Sequence, residues 1–104
     1  MDSNEKEKIV VSVDPDFEEI IPGFLEHRRE DIKKILEALD GNDFEGIRII
    51  GHTMKGVGGG YGFDAISDIG RFIEAAAKEN RPEDIRQHTE ELASYIDRVE
   101  VVYE

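Results

Sequence analysis

The segment Ile49-Ile50-Gly51-His52-Thr53-Met54-Lys55-Gly56-Val57-Gly58-Gly59-Gly60-Tyr61-Gly62-Phe63 sets the reading of the whole chain. On a wheel at about 100° per residue, Ile47, Ile50, Met54, Val57 and Tyr61 fall together. Such a stripe must face a core. His52 lies almost opposite, so its imidazole is directed to solvent. Arg48, Lys55, Gly56 and Gly59 lie within about 60° of it on the same wheel. The segment therefore reads as an amphipathic helix whose wet face carries a histidine, two cations and two residues without side chains. Ile49, beside His52, is a candidate apolar docking contact on that face.

Working outward, this helix is expected from about Phe44 to near Gly60, with Gly60 to Gly62 ending it and turning the chain. Upstream, Phe17, Ile21, Phe24, Leu25, Ile32, Ile35, Leu36 and Leu39 repeat at helical spacing. Pro22-Gly23 splits that stretch into a short lead helix and a longer one, with Pro22 in the first turn of the latter. Asp40-Gly41-Asn42-Asp43 reads as a stop and restart, with Gly41 as a left-handed cap and Asp43 as the next N-cap. Downstream, a third helix starts at Asp64, carries Ile66, Ile69, Ile73 and Ala76 on one face, and ends between Lys78 and Asn80. Pro82-Glu83-Asp84 opens a fourth, with acids at the positive end of the helix dipole and the stripe Ile85, Leu92, Ile96 and Val99. Short connections force antiparallel neighbours. The predicted fold is all-α, an up-down-up-down four-helix bundle with a short N-terminal extra helix, spanning residues 14–104. Residues 1–13 form an N-terminal arm, partly disordered; Ile9 to Val13 is β-branched, but no partner strand is evident, so it reads as an extended segment packed on the body.

Bulk properties narrow the function. The chain has 104 residues, room for one core, and no cysteine, so thiolate and disulfide chemistry are excluded. Asp and Glu number 25 against 13 Lys and Arg, a net charge of −12 that repels nucleic acid and anionic lipid. No apolar run approaches a membrane span. The glycine-rich stretch does not close a G-x-G-x-x-G register, since Tyr61, Phe63 and Ala65 occupy the third glycine positions, and no phosphate-loop lysine follows it. His27, His52 and His88 fall on different helices, so no metal site is expected. The numerous carboxylates read as solvated faces.

What remains is the histidine itself. A neutral imidazole is a competent nucleophile near neutral pH, with an unperturbed pKa of about 6.5. Arg48 and Lys55 are placed to neutralise an arriving anionic group. Glycine within a helix costs roughly 1 kcal/mol relative to alanine. Repeated glycines therefore point to close approach, of a partner or of another helix.

His52-Thr53-Met54-Lys55-Gly56, followed by Gly62-Phe63, resembles the signature of the histidine phosphotransfer (HPt) family: His, any residue, hydrophobic, Lys, Gly, five variable residues and Gly. The resemblance extends over roughly Asp16 to Val102. It implies that His52 is the phosphorylated residue, that Lys55 supports the phosphoryl group, that Gly56 gives access and that Gly62 serves the turn at the helix end. Arg48, Ile49 and Gly59 would flank the docking face. One departure is that many relatives carry small hydroxyl residues after the Lys-Gly pair, where this chain has Val57 and Gly58.

The implied function is a phosphorelay carrier rather than an enzyme with a nucleotide site. It would exchange a phosphoryl group with an aspartate of a response-regulator receiver or with a histidine kinase. No cofactor is expected on this chain, Mg²⁺ belonging to the receiver. The expected setting is a cytoplasmic monomer without nucleic-acid or membrane partners. The alternative is an HPt-like adaptor that binds a receiver or kinase without being phosphorylated, against which the presence of both His52 and Lys55 speaks.

Overall fold

The computed structural model describes residues 7–104. In order along the chain stand strand β1 (Ile9–Val13), a single 3₁₀ turn (Pro15–Phe17), α1 (Ile21–Asp40) and α2 (Phe44–Gly58). The helix α2 runs on into a 3₁₀ turn (Gly59–Tyr61), followed by α3 (Asp64–Lys78), α4 (Pro82–Arg98) and strand β2 (Val99–Tyr103). The expected lead helix is thus one 3₁₀ turn. Its start is fixed by Asp14, whose carboxylate accepts from the Asp16 amide at 2.9 Å.

The fold is all-α in class, an antiparallel four-helix bundle to which the two short strands are added. Tyr61, in the turn that continues α2, meets Phe24 of α1, Gly51 meets Glu74 across α2 and α3, and Phe72 stacks on His88 across α3 and α4. Arg29 reaches Asp97 at 3.3 Å and closes the ring between α1 and α4. Ile35, Ile47, Met54, Phe63, Ile66, Ile73, Ile85 and Leu92 are fully buried along the axis. Each such side chain contributes about 1.5–3 kcal/mol on burial, so the bundle rests on this column rather than on its exposed ion pairs.

Two boundaries differ from expectation. Gly41 is not left-handed: its φ is −96°, and the left-handed residue of that turn is Asn42 at φ +57°. Asparagine tolerates this region better than most side chains, and the carbonyls at the end of α1 are met by the Gly41, Asn42 and Asp43 amides. Asp43 then caps α2 by accepting from the Gly46 amide at 3.0 Å. At the other end, Val99 does not continue the α4 stripe. It adopts extended backbone and begins β2.

That strand is the partner missing from the sequence reading of Ile9 to Val13. β1 and β2 pair in parallel, with Ile9 opposite Val99, Val11 opposite Val101 and Val13 opposite Tyr103. Parallel strands need a long crossover, and here the entire helical bundle supplies it. Val13 is buried against the core. Met1 to Lys6, the first part of the expected arm, lie outside the described residues.

The helices α2 and α3 pack most closely. A β-carbon built on Gly51 would stand 2.7 Å from the Glu74 backbone nitrogen, one on Gly70 would stand 2.6 Å from that of Lys55, and one on Gly58 would stand 2.7 Å from that of Ser67. These distances exclude any side chain. The three glycines let the two backbones touch, and this contact positions the site.

Candidate functional site

His52 emerges from the middle of α2 with its side chain 64% exposed. Beneath it lies Glu74 of α3, only 6% exposed. The His52 Nδ1 and Glu74 Oε2 are 3.0 Å apart. Lys55, one turn along α2, places its Nζ 3.0 Å from the other oxygen, Oε1. Lys78, one turn along α3, stands 3.8 Å from Oε2. A nearly buried carboxylate thus collects an imidazole and two ammonium groups from two helices.

The hydrogen bond from Lys55 holds the Glu74 carboxyl below the usual carboxylate range. Burial opposes this; the His52 bond and the charges of Lys55 and Lys78 reinforce it. Glu74 is therefore an anion at neutral pH, and an ionised carboxylate only accepts. The proton of this contact must then sit on the imidazole Nδ1. In the neutral ring, that leaves the lone pair on Nε2, the nitrogen remote from Glu74. The geometry fixes a tautomer and ring orientation, and it presents one nucleophilic atom outward.

The remaining predicted residues distribute unevenly around the histidine. Nothing lies within 4 Å of a β-carbon built on Gly56, so the surface beside His52 is open there. Ile49 is half exposed on the same face. Arg48 forms a fork onto Glu45, with its Nε 2.9 Å from Oε1. Its guanidinium is thus paired with an acid of its own helix. Gly59 is tied inward: its amide donates to the Ser67 hydroxyl at 2.7 Å, and that hydroxyl donates to the Lys55 carbonyl at 2.8 Å. Ser67, from α3, supplies a hydroxyl next to Gly58. Gly62 has φ +94°, a left-handed conformation that closes the turn, with the Phe63 amide reaching the Gly58 carbonyl at 2.9 Å.

Glu74, Ser67 and Lys78 did not stand out in the sequence. One signal was present: Glu74 interrupts the apolar run Phe72-Ile73-Glu74-Ala75-Ala76-Ala77. It also lies one turn after Gly70, on the row of α3 that faces α2. His27 and His88 stand away from this cluster, His88 bonding Glu91 on its own helix at 2.9 Å. Among the described residues, no group of three or more His, Cys, Asp or Glu is arranged to hold a metal ion.

An exposed histidine on a buried acid, backed by a lysine one turn on, sits in a four-helix bundle whose residues 19–101 match the Hpt domain model. The chain belongs to the Hpt domain family. Neither the curated proteins nor the solved structures supply a significant match. Hpt domains carry out histidine phosphotransfer in phosphorelay signalling, as carriers rather than classical enzymes. The family works with receiver domains or kinases of two-component systems. Among the described residues of this Hpt domain, no helix is long and apolar enough to cross a membrane.

Proposed function

We propose that this Hpt domain carries a phosphoryl group on Nε2 of His52 and exchanges it with the aspartate of a response-regulator receiver, or takes it from a histidine kinase. The observation that carries this reading is the 3.0 Å contact between His52 Nδ1 and the buried Glu74. In the forward step, the Nε2 lone pair attacks phosphorus. The bond from phosphorus to the receiver's aspartate oxygen breaks, and the electron pair leaves with the carboxylate. Positive charge developing on the ring is met at Nδ1–H by Glu74. Return to a receiver is the same step reversed.

Lys55 is the cation nearest this chemistry and serves the phosphoryl oxygens. Gly56 leaves space for the partner's active site, and Ile49 offers an apolar contact beside it. Arg48 and Gly59 complete the docking face. The carrier needs no cofactor of its own, Mg²⁺ being bound by the receiver, and acts as a cytoplasmic monomer. An adaptor that only binds its partner has no use for an imidazole held in one tautomer by a buried acid, which favours the carrier reading.

The test is incubation with a panel of phosphorylated receivers and kinases, scoring acid-labile, alkali-stable label. Label is expected on the wild type and absent from His52→Gln. Label persisting in His52→Gln would remove His52 from the role. Binding without label across the panel would establish the adaptor instead.

A further inference from the structure

Lys55 is asked to serve two anions. Its ammonium lies on Glu74 at 3.0 Å, yet the proposed function requires it at the phosphoryl group. A phosphoryl group brings roughly −1.5 to −2 charges, to a chain already at −12. If Lys55 swings outward, Glu74 keeps only the His52 contact of its two close partners. Its carboxylate is nearly buried, and a buried anion stripped of its cation is strongly disfavoured. The structure holds a second ammonium for that position. Lys78 stands 3.8 Å from Oε2 on the same helix as Glu74, one turn on, with its side chain 58% exposed. It already stands at the outer edge of ion-pair range, against 3.0 Å for Lys55.

Building on the carrier reading of His52, we propose that Lys78 is a positioning residue that replaces Lys55 as the counter-ion of Glu74 when Lys55 turns to the phosphoryl group. The two lysines then alternate. In the resting state Lys55 neutralises Glu74, and Lys78 stays largely in solvent. In the phosphorylated state Lys78 closes on Glu74, which goes on holding His52 Nδ1–H, and Lys55 is released without leaving a bare buried charge. The geometry suits an exchange because the lysines approach different oxygens from different helices, Oε1 from α2 and Oε2 from α3.

The experiment uses the intact chain with phosphoramidate, which phosphorylates imidazoles without a partner protein. The phosphorylated fraction at equilibrium and the half-life of the phosphohistidine are measured. Lys78→Met is expected to lower the phosphorylated fraction or shorten the half-life by about twofold to fivefold, the range of an exposed ion pair. Lys78→Arg restores both. In a Glu74→Gln background, where no anion needs a counter-ion, Lys78→Met has no further effect. A Lys78→Met protein that matches wild type overturns the proposal, as does a Lys78→Met effect of equal size with and without Glu74. His52→Gln separates the two readings. Label from a phosphorylated receiver lost there, together with wild-type behaviour of Lys78→Met, sinks the exchange alone, whereas receiver-derived label retained there sinks the carrier assignment itself.

Discussion

At the scale of single residues, the site turns on a histidine that is visible in the sequence and an acid that is not. His52 and Lys55 are legible because they lie one turn apart on one helix, where the wheel places them on a common wet face. Glu74 sits on another helix; its place in an apolar run marks it, but the packing of α3 on α2 is what shows its partners. Its ionisation has a pH signature. The folded carboxyl titrates below its ordinary value of 4.5, so its contribution to stability is fully present above that value. That contribution is lost as the pH falls from there through the depressed folded value. Chemical denaturation of wild type and Glu74→Gln across this acid range checks the sign, with the variant expected to show the shallower loss. The same variant should free the imidazole to exchange tautomers, seen as a change in its ¹⁵N shifts at neutral pH. Phosphotransfer through His52 should slow by about threefold to tenfold, a charge-assisted hydrogen bond discounted for an exposed ring. Unchanged ¹⁵N shifts would mean that Glu74 does not select the tautomer.

At the scale of elements, the helices follow the sequence closely because their start and stop chemistry is local. Asp43 caps α2 through the Gly46 amide, and Pro82 opens α4 from its first turn, where a fixed φ suits the helix. Gly41 and Asn42 show the limit of such rules: both tolerate the left-handed region, and the packing of that turn assigned it to Asn42. The glycines separate in the same way. The sequence marks a run of them with one implication, close approach, and the structure divides that between a neighbouring helix and open surface. Two substitutions expose the difference. A methyl group at Gly51 would press on the Glu74 backbone at 2.7 Å. Gly51→Ala is therefore expected to destabilise by about 1–3 kcal/mol through overpacking, less what alanine regains in helix propensity, and to pull Glu74 from His52. Gly56 has nothing within 4 Å. Gly56→Ala should raise stability by about 0.5–1 kcal/mol, while slowing transfer from a receiver. Thermal melts paired with transfer rates test both. A Gly51→Ala protein as stable as wild type would contradict the close packing of α2 on α3.

At the scale of the whole molecule, the four-helix architecture was readable because short loops leave antiparallel neighbours little alternative. The ribbon joining the two flanks was not. Ile9 to Val13 and Val99 to Tyr103 lie some ninety residues apart in sequence, and periodicity reports a strand's local character without naming its partner. The last valines also extend the apolar stripe of α4, so the strand was hidden inside a helix pattern. Isolated two-stranded pairs are marginal in water; this one persists because Val13 is buried and because the Arg98 guanidinium donates to the Glu7 carbonyl at 2.9 Å. An acid at Val13 should strike that anchor. Val13→Asp is expected to cost about 1–3 kcal/mol, the penalty for an unpartnered polar group in a core. Amide exchange should show whether the ribbon releases as a unit: protection lost across both strands, with that of α2 and α3 retained. Since His52 and Glu74 lie on those two helices, the variant should still accept phosphoryl at temperatures where the bundle stays folded. Collapse of exchange protection across all four helices would instead mean that the ribbon is part of the bundle's cooperative core.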